Sequence, residues 1–140
     1  MSESRLRAAI AALALAGAGI AAYLTYARYS GTPIACSTGG CETVQHSRYA
    51  VVAGIPVAVI GLVGYAALLA TAAFRGATAA ALGVGCAVIG LAFGAYLLVA
   101  QIALIHAICQ WCVASDAVIT LIALAALYRY LLTLRETPAA

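Results

Sequence analysis

The sequence predicts an all-α integral membrane protein, a bundle of four transmembrane helices with an outward-facing cysteine loop. Three observations lead there. Hydrophobic residues make up 66% of the chain and charged residues 8%. A soluble domain of 140 residues cannot hide that much apolar surface, because a small globule exposes most of its side-chain positions. Four apolar runs each have the roughly 20-residue length that a bilayer crossing needs. One sizeable polar stretch, 27–53, is left between them. Residues 1–140 therefore read as one transmembrane domain, with helices at about 8–26, 54–74, 77–105 and 113–130 and no room for a second domain.

The first run follows Arg5 and Arg7. A charged start before an apolar centre also suits a secretory signal peptide, but the run of about 19 residues exceeds the roughly 7–15 of a signal core. It ends in Tyr23, Tyr26 and Tyr29, which resemble an interfacial aromatic belt, so it is read as a true span. The positive-inside rule then orients the bundle. Arg5, Arg7, Arg75, Arg129 and Arg135 fall on one side, Arg28 and Arg48 on the other. Both termini are expected in the cytoplasm, and the 27–53 segment outside. The net charge of +3 is spread over the membrane flanks, and no basic cluster points to nucleic acid.

The outward segment leaves the first helix through the turn-rich Arg28-Tyr29-Ser30-Gly31-Thr32-Pro33. Cys36-Ser37-Thr38-Gly39-Gly40-Cys41 follows, and its two glycines predict a mobile loop. Residues 42–50 suit a short helix over the mouth of the bundle. Gly54-Ile55-Pro56 opens the second span, with Pro56 in a first-turn position. The short turn Phe74-Arg75-Gly76 makes the second and third helices antiparallel neighbours. Gly90 and Gly94 in the third have the GxxxG spacing that lets helix backbones approach closely. There is no internal repeat and no low-complexity tail beyond Thr137 to Ala140.

The chemistry is in the cysteines. Of five, four form close pairs, Cys36 with Cys41 and Cys109 with Cys112, and Cys86 reads as a small core residue. Cys109-Gln110-Trp111-Cys112 stands where the third and fourth runs meet, at a membrane surface and in the first turn of a new helix. There the helix dipole favours the thiolate, the form that attacks disulfides. Both pairs fall on the same side by a charge count that did not involve them. In a reducing compartment such pairs more often bind metal, and on an oxidising side they more often form disulfides.

These residues resemble the bacterial homologues of vitamin K epoxide reductase. The resemblance rests on Cys36 and Cys41, Ser47-Arg48-Tyr49-Ala50, Gly54-Ile55-Pro56, Gly61-Leu62-Val63-Gly64-Tyr65 and the CxxC of Cys109 and Cys112. It covers roughly 23–122. It implies a four-helix bundle around a quinone, ubiquinone or menaquinone, in a bacterial cytoplasmic membrane. It also implies a separate thioredoxin-fold, DsbA-like partner that the protein re-oxidises, in support of disulfide formation. In that scheme Cys36 exchanges with the partner, Cys41 passes electrons to Cys109, and Cys112 faces the quinone and forms a transient adduct or charge-transfer pair. Ser47 matches the family's loop serine, which supports the site by hydrogen bonding. A DsbA-type oxidant lies near about −120 mV, so its re-oxidation needs a strong terminal acceptor.

Asp116 is the acidic residue well inside an apolar run, four residues after Cys112 and on its helix face. Two readings stand. It hydrogen-bonds the quinone or moves its proton, or it is a solvated first-turn acid, capped by Ser115, that favours the helix dipole. Vertebrate relatives have a quinone-bonding tyrosine here, so Asp116 is a departure. Trp111 reads as an interface anchor or a wall of the quinone pocket. His106 shares a face with Cys109 if the third helix runs that far, and a protonated His there would lower the Cys109 pKa. His46 reads as a solvated loop residue, and Tyr65 as a packing residue or a partner for another helix. Two other classes remain open: a membrane protein whose four cysteines hold zinc, and a structural subunit whose cysteines staple loops.

Overall fold

Ser2 starts the first helix, α1 (Glu3–Ser30), by accepting the Arg5 N–H on its side chain at 3.4 Å. Glu3 in the first turn and Arg28 in the last suit the helix dipole. Gly31 ends it in the left-handed conformation, φ 71°, which glycine adopts without steric cost. In this computed structural model residues 1–136 are described, and the tail at Thr137 to Ala140 lies outside them. After the loop come α2 (Cys41–Gln45) and a 3₁₀ turn (Arg48–Ala50). A two-residue antiparallel hairpin follows, β1 (Val51–Val52) with β2 (Ile55–Pro56). The remaining elements are α3 (Val57–Ala73), α4 (Ala77–Val99), a π-helical turn (Ala100–Ile105) and α5 (Gln110–Glu136).

The all-α membrane bundle predicted from the sequence is the fold observed. α1, α4 with its π turn, and α5 are long and apolar enough to cross a membrane, and α3 is a shorter apolar helix. At 1.5 Å per residue, its 17 residues reach about 25 Å, the low end of what a crossing needs. α1 packs against α3 and α5, and α4 against α5 and α3. Large apolar side chains such as Leu15, Val63, Ile89 and Leu124 point outward, an arrangement that suits lipid and not water.

Two cores lie inside. One is built from Ile10, Ala14, Tyr65, Leu68, Ile119 and Ile122 with their neighbours. The other, toward the cysteines, joins Leu24, Ile34, Cys41, Val44, Ala58 and Cys109. The GxxxG glycines do bring helices together. A Cβ on Gly90 would stand 3.1 Å from the Ile119 side chain, and one on Gly94 2.5 Å from an Asp116 carboxylate oxygen.

Several local expectations need correction. α1 and α5 extend well beyond 8–26 and 113–130. The 42–50 helix is split by His46 and Ser47 into α2 and the 3₁₀ turn. The hairpin was not anticipated, and Pro56 ends it as the residue before α3, not as a residue of the helix. The third helix stops at Ile105, because His106 takes φ 58°. His106 and Cys109 therefore share no helix face.

The end of the bundle away from the cysteines is closed by two arginines. Arg129 is 1% exposed. It donates to the carbonyls of Thr71 (2.9 Å) and Phe74 (2.6 Å) and pairs with Glu3 at 3.4 Å. Arg7 donates to the carbonyls of Ala72 (2.7 Å) and Ala73 (2.8 Å). The last turn of a helix leaves its carbonyls without intrahelical donors. α3 has two guanidinium groups there.

Candidate functional site

Cys36 and Cys41 are joined by a disulfide, with Cα atoms 6.0 Å apart. Cys36 is half-buried and Cys41 fully buried. The expected mobile loop is strapped to the turn before α5. The Ser37 N–H donates to Gln110 Oε1 (2.8 Å), the Thr38 hydroxyl to the Ile108 carbonyl (2.7 Å), and the Trp111 indole N–H to the Ala35 carbonyl (2.6 Å). Gly40 lies so close that a Cβ there would sit 2.6 Å from the Ile108 carbonyl oxygen. The glycine thus serves close approach as well as turning.

Cys109 and Cys112 are free thiols. Cys109 immediately precedes α5, and its sulfur does what a capping side chain does: it accepts the Cys112 N–H at 3.3 Å. Its own N–H donates to Gln101 Oε1 at 2.8 Å. Gln101 is 1% exposed and reaches Cys109 because the widened π turn aims it there, a geometry frequent at functional sites. The Cys112 thiol, hydrogen-bonding to the Cys109 sulfur, is the largest influence holding the Cys109 pKa down to about 7. Burial opposes it, and the Cys112 N–H and the Gln45 amide reinforce it. The position before a helix, expected to favour a thiolate, thus has its pKa lowered, chiefly by the Cys112 thiol and further by directed N–H groups.

Cys112 lies on the wall of a cavity of about 500 Å³ between the helices, within the usual range for small-molecule sites. The wall is mostly apolar, with Leu24, Ile60, Phe93 and Leu97 among its residues, and its polar groups include Gln45, Ser115 and Asp116. Among the described residues, Asp116 Oδ2 is buried without a hydrogen-bond partner. Asp116 is thus a cavity residue, and Ser115 does not cap it. The Tyr65 hydroxyl instead meets the Ser115 hydroxyl (2.7 Å) and donates to its carbonyl (3.0 Å).

Ser47 also reaches the wall, but its hydroxyl donates to the Val44 carbonyl at 2.7 Å and closes α2. Trp111 is brought to the loop and not to the cavity: besides its bond to Ala35, it packs on Tyr23 at 5.2 Å between ring centroids. Cys86 is on the cavity wall as well as against the core. His106 is exposed beside Thr38, Gly39 and Thr43. Among the described residues, no group of three or more His, Cys, Asp or Glu is placed to hold a metal ion.

Two site residues went unread in the sequence, Gln45 and Gln101. The signal for Gln101 was an amide inside an apolar run. For Gln45 it was a position four residues after Cys41, one turn along a short helix.

The family model of the vitamin K epoxide reductase family matches residues 8–127. A thiol-disulfide oxidoreductase of Arabidopsis thaliana, LTO1, is 46% identical over 57 residues, which cover 39% of this chain and 15% of that protein. The aligned part is thus a small fraction of the relative's length.

Proposed function

This chain belongs to the vitamin K epoxide reductase family, and from that premise we propose that it is a quinone-dependent thiol oxidoreductase that re-oxidises a separate, DsbA-like thioredoxin-fold protein. The observation that carries the reading is a file of sulfurs leading inward. Cys36 is half-buried in the loop, Cys41 and Cys109 share one buried cluster, and Cys112 stands on the cavity wall. The family match and the relative's oxidoreductase name support the coarse activity.

The cavity suits a quinone: it is apolar, close to Cys112, and has at Asp116 Oδ2 a buried oxygen in need of a partner. A bound quinone supplies a sink for two electrons and two protons. The chain's residues do the rest. Cys36, the less buried sulfur of the loop pair, takes the attack of the partner's thiolate. Cys41 hands the reducing equivalents to Cys109 by thiol–disulfide exchange. Cys112 delivers them at the cavity wall, and Asp116 there holds or moves a proton. The Ala-, Val- and Leu-rich helices exclude water from that step.

The cysteine end is proposed to face the oxidising outer side of a bacterial cytoplasmic membrane, with both termini inside. The arginine distribution supports this, although Arg7 and Arg129 also serve α3, leaving Arg5, Arg75 and Arg135 exposed.

The test follows quinone absorbance while reduced DsbA-like protein is added to the purified chain. Cys112→Ala is expected to abolish quinone reduction with any thiol donor. Cys36→Ala is expected to block the protein partner, while a small dithiol that reaches Cys109 and Cys112 still drives the reaction. Full activity of Cys36→Ala with the protein partner would refute the electron order.

A further inference from the structure

Gln45 is the residue that the relay above leaves without a task. Its side chain is buried, at 8% exposure. Its amide nitrogen Nε2 lies 3.2 Å from Cys112 Sγ and 3.7 Å from Cys109 Sγ. A thiol is a weak acceptor, whereas hydrogen bonds to ionised acceptors are roughly twice as strong as neutral ones. A donor aimed at two sulfurs and shielded from water therefore matters most when one of them is a thiolate.

Among the described residues, the titratable side chains around the pair offer no substitute for it. Tyr23 of α1, Tyr49 of the 3₁₀ turn, Tyr65 of α3, Cys86 of α4 and Asp116 of α5 are neutral or acidic. Arg28 of α1 spends its guanidinium on the Gln45 carbonyl. On α2 itself, Glu42 accepts the Ile34 N–H and pairs with His46.

We propose that Gln45 is a positioning residue for the thiol pair: its amide holds the departing Cys112 thiolate when electrons arrive from the loop, and so sets how readily the pair is reduced. The proposal rests on the relay proposed above. The Cys41 thiolate attacks Cys109 of the Cys109–Cys112 disulfide. A Cys41–Cys109 bond forms, the Cys109–Cys112 bond breaks, and Cys112 leaves as thiolate beside the nearer Gln45 contact. The Cys36 thiolate then attacks Cys41 and releases Cys109. One disulfide is lost and one regained, and the two protons given up by Cys36 and Cys41 go to Cys109 and Cys112. A leaving thiolate that is held by a donor departs faster, and the amide at 3.2 Å is placed to hold it. α2 begins at Cys41, so one short helix carries both the attacking sulfur and, a turn later, the donor for the leaving one.

The test uses the full chain in detergent, with Gln45→Met, which keeps length and removes the donor, and Gln45→Glu, which keeps shape and adds negative charge. Iodoacetamide labelling of Cys109 and Cys112 is followed against pH by peptide mass, and the pair is equilibrated with dithiothreitol. Gln45→Met is expected to lose about tenfold in thiolate at a fixed pH below the midpoint. An equal loss in the equilibrium constant for reduction corresponds to about 30 mV toward a more reducing pair. Gln45→Glu is expected to move both further. A role in packing alone would lower the melting temperature and leave midpoint and potential in place, which overturns the proposal; so do parent-like values in both variants. If Gln45→Met does not fold, the near-isosteric Gln45→Glu decides by the same readings. Neither measurement involves quinone or partner. A wild type that reduces no quinone, with midpoints that still move, sinks the relay's destination and leaves Gln45 its role.

Discussion

Beside the Cys112 thiol, which lowers its pKa most, Cys109 meets three further groups, and the chain brings each by a different route. The Cys112 N–H comes from the next turn of the same helix, the Gln101 carbonyl from the π turn, and the Gln45 amide from the loop helix. With its pKa held near 7, the thiolate fraction falls about tenfold per pH unit below that value and levels off above it. Labelling of Cys109 in the reduced protein is therefore expected to rise through a midpoint near pH 7, below the roughly 8.5 of an ordinary cysteine. A midpoint at the ordinary value would remove the basis for calling Cys109 activated. The CxxC spacing made this residue conspicuous in the sequence. The two glutamines were not, because an amide has no marked chemistry until burial leaves a sulfur or a backbone N–H as its partner.

At the level of elements, two helix contacts are decided by single residues. α4 and α5 meet at Gly94, where Asp116 occupies the place of a Cβ, whereas Gly85 has open space around it. Gly94→Ala is expected to force the helices apart and cost about 1–3 kcal/mol, as overpacking does. Gly85→Ala is expected to leave stability unchanged or raise it by up to about 1 kcal/mol, the helix-propensity difference. Thermal unfolding in detergent compares them, and equal effects would contradict the packing account. The end of α3 depends on Arg7 and Arg129 in the same local way. Arg129→Met strips donors from two carbonyls and leaves Glu3 without its ion-pair partner. A loss of about 3 kcal/mol is expected, as for other broken buried pairs. Arg75→Met, at an exposed turn, should stay within about 0.5 kcal/mol. An Arg129→Met protein that unfolds like the parent would show that α3 ends without those bonds.

For the whole molecule, the helices run alternately up and down, so both cysteine pairs come to one end and the α3–α4 turn to the other. The proposed orientation predicts that a membrane-impermeant maleimide reaches Cys36 in intact cells once its disulfide is reduced. A cysteine introduced as Arg75→Cys should react only after permeabilisation. Labelling of the second and not the first would invert the molecule and place the relay on the reducing side.

Composition and run length determined the class of this protein. Apolar stretches long enough to cross a bilayer can bury their backbone polar groups only as helices, so the helical bundle and the division into runs and loop were legible residue by residue. The cysteine spacings, with the Gly-Ile-Pro and Ser-Arg-Tyr-Ala stretches, likewise made the family legible. Tertiary structure alone decided which way each polar group turned. Trp111 went to the loop backbone and not to the cavity, Arg129 to the carbonyls of α3 and not to solvent, and Gln45 and Gln101 to the sulfur pair. The reason is physical: periodicity orders side chains along one helix, whereas a buried polar atom takes its partner from another helix, and the choice exists only once the helices are packed.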